Sequence, residues 1–267
     1  TIVAKGDVTY SNVGGPGTTL LKIGGSSNQT ITGVSGATIS NFEVASTGGT
    51  VTFSGTLDFG RDYTYTSGTV DASASTIRFP GSVTSSTVTP GAINYNNVSF
   101  ARGVFSTAIS GTMTVNGTLT LDGQSGSPSV NTGTIDAKGD VIYSNLGAPG
   151  NALLTFSGAS STTVAVSGTA NRMTGTVTVN KTGTGKVTLL NNISWNGAGQ
   201  DLTVTAGLLD MSGKNLTVAD ILTVSAGGIL QCNGGTLTYG SLVNNGVIDC
   251  PGVGYSWTGL AGDGKWS

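Results

Sequence analysis

Residues 202–209, LTVTAGLL, return as LTVSAGGI at 222–229, 20 positions later, and Leu242 opens a third, weaker copy. A unit this short cannot enclose a core of its own, because its apolar side chains stay exposed unless a neighbouring copy covers them. The spacing therefore confines the chain to stacked turns. The expected turn is a rung of short strands joined at glycine corners, with Thr and Ser outward and Val, Leu and Ile inward.

The strand signal is period-two alternation of apolar residues with Thr, as in Thr-Val-Thr-Phe (50–53), Thr-Met-Thr-Val (112–115), Thr-Leu-Thr-Leu (118–121), Thr-Val-Thr-Val (176–179) and Asn-Leu-Thr-Val (215–218). Glycine supplies 44 of 267 residues, about twice its usual share, which suits corners that need positive φ or close backbone approach. Disorder does not fit, since 37% of residues are hydrophobic and only 9% charged. The expectation is an all-β parallel β-helix, or β-solenoid, with rungs of about 20 residues. That spacing implies about 13 rungs and a rod about 60 Å long.

A longer repeat overlies the short one. Residues 1–25, TIVAKGDVTYSNVGGPGTTLLKIGG, match 134–158, TIDAKGDVIYSNLGAPGNALLTFSG, at 16 of 25 positions. The match continues with Val44 on Val179, Val51 on Val187, Leu57 on Ile193 and Phe59 on Trp195. This divides the chain into a first unit, 1–133, and a second, 134–267, continuous with the first and ending in a cap or module-boundary motif. Two tandem β-sandwich domains of about 130 residues are the alternative, because strands 8 to 12 residues apart also mark sandwiches. Strands of only about four residues and turn signals every six to eight favour the solenoid.

Composition excludes several functions. The chain has no histidine, so it cannot build a Ser-His-Asp or Cys-His nucleophile, or a His-containing zinc site, by itself. A net charge of −2 from 11 basic and 13 acidic residues does not suit phosphate neutralisation, so no nucleic acid is expected as partner. No run approaches the roughly 18 apolar residues of a membrane helix, and no basic-then-apolar leader opens the chain. The sequence thus reads as a mature or excised piece, and its low Lys content, two Cys and abundant Thr, Ser and Asn suit a protein working outside the cell. The six Asn-x-Ser/Thr sequons at Asn28, Asn97, Asn116, Asn180, Asn192 and Asn215 arise from composition and carry no functional weight.

Cys232 and Cys250 share a context, Ile-Leu-Gln-Cys against Val-Ile-Asp-Cys, 18 residues apart. In a solenoid their sulfurs stack on adjacent rungs about 5 Å apart, within disulfide reach. The reading is a disulfide clamping the last rungs; a pair of buried thiols is the alternative.

The runs MTGTVTVNKTGTGKVTLLNNISW (173–195) and LTVTAGLLDMSGKNLTVADILTVSAGGIL (202–230) resemble the β-strand-repeat regions of large bacterial surface proteins, including autotransporter passengers and filamentous-haemagglutinin-like adhesins. The C-terminal YSWTGLAGDGKWS (255–267) resembles a segment with which new modules open in such proteins. The resemblance implies a right-handed parallel β-helix and an extracellular structural or adhesive role at the cell surface. It brings no catalytic residue.

Parallel β-helices can also cleave polysaccharides, which requires grouped carboxylates: roughly 6.5–9.5 Å apart for inversion and about 5–5.5 Å for retention. Asp7 and Asp140 are repeat equivalents, about six rungs apart, and cannot pair. The densest polar cluster is Asp58, Arg61, Asp62, Tyr63 and Tyr65, with Asp71 one rung on. It is the candidate carbohydrate contact, against an ordinary solvated corner with an ion pair, and the second unit replaces it with Ser194, Trp195, Asn196, Gly197 and Ala198. No catalytic residues, cofactor or metal are expected; Gly262-Asp263-Gly264 resembles a calcium turn only once. Trp257 and Trp266 read as a terminal cap. Repeat sequence from Thr1 onward fits either a slice of a longer protein or copies stacking head to tail into filaments. The expected function is a rod, stalk or filament subunit, with copies of itself and surface glycans as partners; a carbohydrate-binding or carbohydrate-cleaving β-helix is the alternative.

Overall fold

In the computed structural model, residues 1–11, 17–80, 85–100, 106–122, 129–144, 150–167 and 173–250 are described, together with the backbone of 256–257. They form strands and no helix, and every strand pairing is parallel. Each turn of roughly 21 residues crosses three faces, so the chain is a β-solenoid and not a pair of sandwiches.

The first face stacks 2–4 on 20–23, 41–45, 63–67, 86–89, 107–109 and 130–131. The second runs in eleven steps from Val8 to Asn244, through segments including 112–115, 134–137, 153–156 and 177–180. The third stacks 57–59, 76–79, 97–100, 119–122, 141–144 and 162–167 before ending at Val247–Asp249. At about 4.8 Å per step the described rod is about 50 Å long.

Alternation decides what enters the core. In Leu119–Asp122 the two leucines are buried and Thr120 and Asp122 face out. One column of the third face stacks Phe59, Phe79 and Phe100, the last two with centroids 5.3 Å apart. The first face adds Phe42 and Tyr63, centroids 5.7 Å apart. Each large ring removes about 150–250 Å² from water, and the column makes each turn depend on its neighbours for burial.

A second device ties turns together. Eight times among the described residues, an Asp or Asn just before an inward-facing residue accepts a hydrogen bond through Oδ1 from the backbone N–H of the residue facing it one turn on. The pairs are Asp7–Thr30, Asn28–Thr50, Asp62–Thr87, Asn97–Thr118, Asp140–Thr163, Asn192–Asn215, Asp201–Ile221 and Asn215–Thr236, at 2.7–3.1 Å. The N–H lies where the ladder has stopped and would otherwise lack an acceptor. Four of the six sequons, at Asn28, Asn97, Asn192 and Asn215, are such staples. Asn, then an inward-facing residue, then an outward Ser or Thr is what a staple followed by an alternating strand spells.

The two sequence units are one continuous solenoid, and they are not in phase with its turns. Six steps along the first face lead from Ile2 to Val130, and Thr134 then opens the second face. The 133-residue repeat is therefore six turns plus one face. Val8 on the second face matches Val141 on the third, and Phe59 on the third matches Trp195, which pairs with Val218.

Cys232 and Cys250 follow third-face strands of adjacent turns and are joined as a disulfide, with Cα atoms 4.8 Å apart. Trp257 pairs with Tyr239 through its backbone. Its side chain, Trp266 and Gly262-Asp263-Gly264 lie outside the described residues.

Candidate functional site

The cluster singled out in the sequence is not one site. Tyr63 does not reach the surface: it is fully buried, its ring stacked against Phe42 and tilted against Phe59, and its hydroxyl accepts from Tyr95 at 3.1 Å. No glycan can touch it. Asp62 sits just before the strand Tyr63–Phe79 and Thr64 follows within it, so alternation sends Tyr63 inward and Asp62 outward, where Asp62 serves as a staple. Tyr65 is half-buried and donates to the Gly68 carbonyl.

Asp58 is also covered. It is 3% exposed, and Oδ2 accepts from the Gly36 N–H at 3.1 Å and pairs with Arg78 at 3.3 Å. Burial pushes its carboxyl above the usual carboxylate range, opposed by Arg78 and the Gly36 N–H. Arg78 also donates to Ser35, so one guanidinium bridges three turns. Arg61 is half-buried. Asp71 lies on the second face opposite Thr52, away from Asp58 on the third. It is exposed, and Oδ1 accepts from the backbone N–H and hydroxyl of Ser73; the Ser73 hydroxyl holds its carboxyl below the usual range. Asp58 and Arg78 do form an ion pair, but a buried one and not a solvated corner, and the carboxylates do not converge.

Two concave features among the described residues lie elsewhere, at the corner between the second and third faces. A groove of about 410 Å³ runs past Asn116, Thr118, Lys138, Asp140, Ser160 and Ser161. A second, of about 250 Å³, contains Asp71, Ser73, Asn94 and Asn96 and shares Asn116 with the first. Together they follow the rod axis from 71 to 161, four steps or about 19 Å. The floor is glycine. A Cβ on Gly139 would collide with the carbonyl oxygen of Gly117, and one on Gly117 would meet the Asn96 carbonyl oxygen at 2.8 Å. The chain has a trough here because side chains cannot be accommodated.

Lys181 anchors the wall formed by 157–161. Its side chain is fully buried, and Nζ donates to the Ser157 carbonyl at 2.6 Å. Burial pushes its ammonium down to about 8, against the attraction of Asp136 and Asp140. Nothing in sequence marks this lysine, since Asn-Lys-Thr reads as an exposed turn.

Among the described residues no group of three or more Asp, Glu, Cys or His is arranged to hold a metal ion. Asp71 and Asp140 stand three turns apart in the grooves, about 14 Å by the strand spacing, wider than either glycosidase geometry. What the corner offers is a row of amides and hydroxyls with one cation, Lys138, and two well-separated carboxylates, Asp71 and Asp140.

These features define the class of the molecule: a three-faced parallel β-solenoid with a polar axial groove. No protein-family model, curated protein or solved structure matches the chain. The likeness to bacterial surface β-helices is one of sequence pattern alone.

Proposed function

We propose that the chain is an extracellular structural element, a rod, stalk or filament segment at a cell surface, with adhesion as its second role. The observation that carries this is the run of parallel ladders along three faces, in which backbone hydrogen bonds point along the axis from turn to turn. Such ladders leave little backbone for a protease to engage locally. A disulfide fits an oxidising compartment, and 9% charged residues leave a Thr/Ser surface that salt screens little. Copies stacking end to end follow from the same logic, since residues 1–25 offer another copy nearly the sequence that 134–158 offers to 112–122.

Negative-stain electron microscopy at several concentrations, paired with limited proteolysis, tests the reading. Rigid rods of about 50 Å, or uniform fibres built from them, with the ladders resisting cleavage, are expected. Globular particles cut rapidly within 112–167 would defeat it. A carbohydrate-binding protein is the second reading, favoured by the corner groove.

A further inference from the structure

The geometry points to a binding site for a linear, neutral oligosaccharide in the axial groove at the corner of the second and third faces. The inference stands apart from the rod assignment: a rod needs no groove, and a glycan-binding solenoid need not assemble.

Three observations select the ligand. The groove is open and elongated along the axis, and its floor is held free of side chains by Gly117 and Gly139. Its walls are short neutral hydrogen-bonding groups, chiefly Asn116, Thr118, Ser160 and Ser161, which donate to and accept from hydroxyls. Polar side chains recur once per turn, about every 4.8 Å, close to the length of one sugar ring in an extended chain, with Lys138 and Asp140 on the turn between Asn116 and Ser160. The charges along it are few and mixed, Lys138 beside Asp140 with Asp71 three turns away, so neither a polyanion nor a polycation is favoured. Nucleic acid would need several phosphate contacts, and one lysine supplies one. A β-strand peptide would need a free ladder edge, whereas the groove crosses strand ends whose neighbours are already paired. The lining offers no exposed aromatic ring, since Tyr95 is fully buried. Binding therefore rests on hydrogen bonds in water, so individual sugars are held weakly and affinity accumulates along the chain.

Lys181 supports the site from beneath. By holding the Ser157 carbonyl it fixes the segment carrying Ser160 and Ser161, and it makes no contact with the ligand.

The test is an NMR titration of the full chain with neutral di-, tri- and tetramers of β-1,4-linked glucose, β-1,4-linked N-acetylglucosamine and α-1,4-linked glucose. A uronic-acid tetramer and a DNA dodecamer serve as charged probes. At least one neutral series should shift the Gly139 and Gly158 amides, with affinity rising at least about tenfold from dimer to tetramer, since the groove spans four steps. Ser160→Trp, which fills the trough from an exposed position, should weaken tetramer binding at least about tenfold at unchanged melting temperature. Should it fail to fold, the Asn116→Ala/Thr118→Ala pair provides the same reading. No neutral series shifting those amides, binding unaltered in both variants, or preference for a charged probe would each overturn the proposal. Electron microscopy of the same sample reports the rod reading separately.

Discussion

Ile2 and Ile135 hold the same place in the sequence repeat and lie on different faces of the solenoid, Ile2 facing Leu21 on the first and Ile135 facing Met113 and Leu154 on the second. The duplicated segment thus works equally well after rotation by one face, so the three faces are interchangeable hosts. Inserting a further copy of 1–133 between residues 133 and 134 should therefore fold and extend the rod by six turns and one face, about 30 Å. Small-angle scattering should show the longer axis at unchanged cross-section. A widened cross-section or a kink would show that the faces are not equivalent.

The staples should be measurable one at a time. Asn215 is tied to both neighbours, its N–H donating to Asn192 and its Oδ1 accepting from Thr236. Asn215→Ala leaves the Thr236 N–H without its acceptor and should cost about 1 kcal/mol in urea unfolding. Asn215→Asp retains an oxygen acceptor and should recover most of that. Equal losses in the two variants would mean that the side-chain amide, and not the staple, matters.

Two glycines separate space from conformation. Gly139 has a backbone carbonyl where its Cβ would go, whereas Gly183 has nothing within 4 Å but a φ of +58°. Gly183→Ala should cost about 1 kcal/mol, the usual penalty for an L-residue in the left-handed region. Gly139→Ala must displace the chain at Gly117 and should cost about 2–3 kcal/mol, within the range for overpacking. Thermal melts of both variants decide; a milder effect at Gly139 would mean that the corner yields easily.

The Cys232–Cys250 disulfide closes a loop of about 19 residues, for which the chain-entropy model gives about 3 kcal/mol. Because each turn touches only its neighbours, the loss in a Cys232→Ala/Cys250→Ala variant should be local. Hydrogen exchange should speed up over 229–249 and remain unchanged over 112–167. Uniform acceleration would contradict nearest-neighbour stability.

Much of this architecture was legible in sequence because it depends on local alternation and fixed spacing. The LTV repeats at 202 and 222 do pair, Leu202 on Leu222, and the cysteine contexts do stack, Leu230 on Ile248. What sequence concealed depends on contacts between turns whose lengths vary. The step from Tyr63 to Val88 is 25 residues and that from Ile2 to Leu21 is 19, so a uniform rung of 20 places no side chain reliably. Asp58 and Asp71 therefore looked like neighbours and lie on different faces. The groove was invisible for the same reason, since its floor is made of glycines from successive turns. The staples did leave a signal, an Asx just before an inward-facing residue in eight places, but in four of them it coincides with a sequon.

Lys181 gives the solenoid a pH dependence whose sign can be worked out. In the unfolded chain a lysine titrates near 10.4; folded, burial brings Lys181 to about 8, with Asp136 and Asp140 pulling the other way. Between these values the unfolded chain binds more protons, so the unfolding free energy contributed by Lys181 rises with pH from about 8 upward. Below about 8 the cost of burying the charged ammonium is fully present. The buried hydroxyls of Tyr63 and Tyr95 are raised by desolvation and add the opposite slope once the unfolded tyrosines ionise near 10, so the window lies below that. Comparing the wild type with Lys181→Met by urea unfolding at about pH 7.5 and about pH 9.5 isolates the effect, because all other groups are shared. The stability difference should move in favour of the wild type at the higher pH. A difference that stays flat would place the Lys181 ammonium in contact with water and remove it as the anchor of the 157–161 wall.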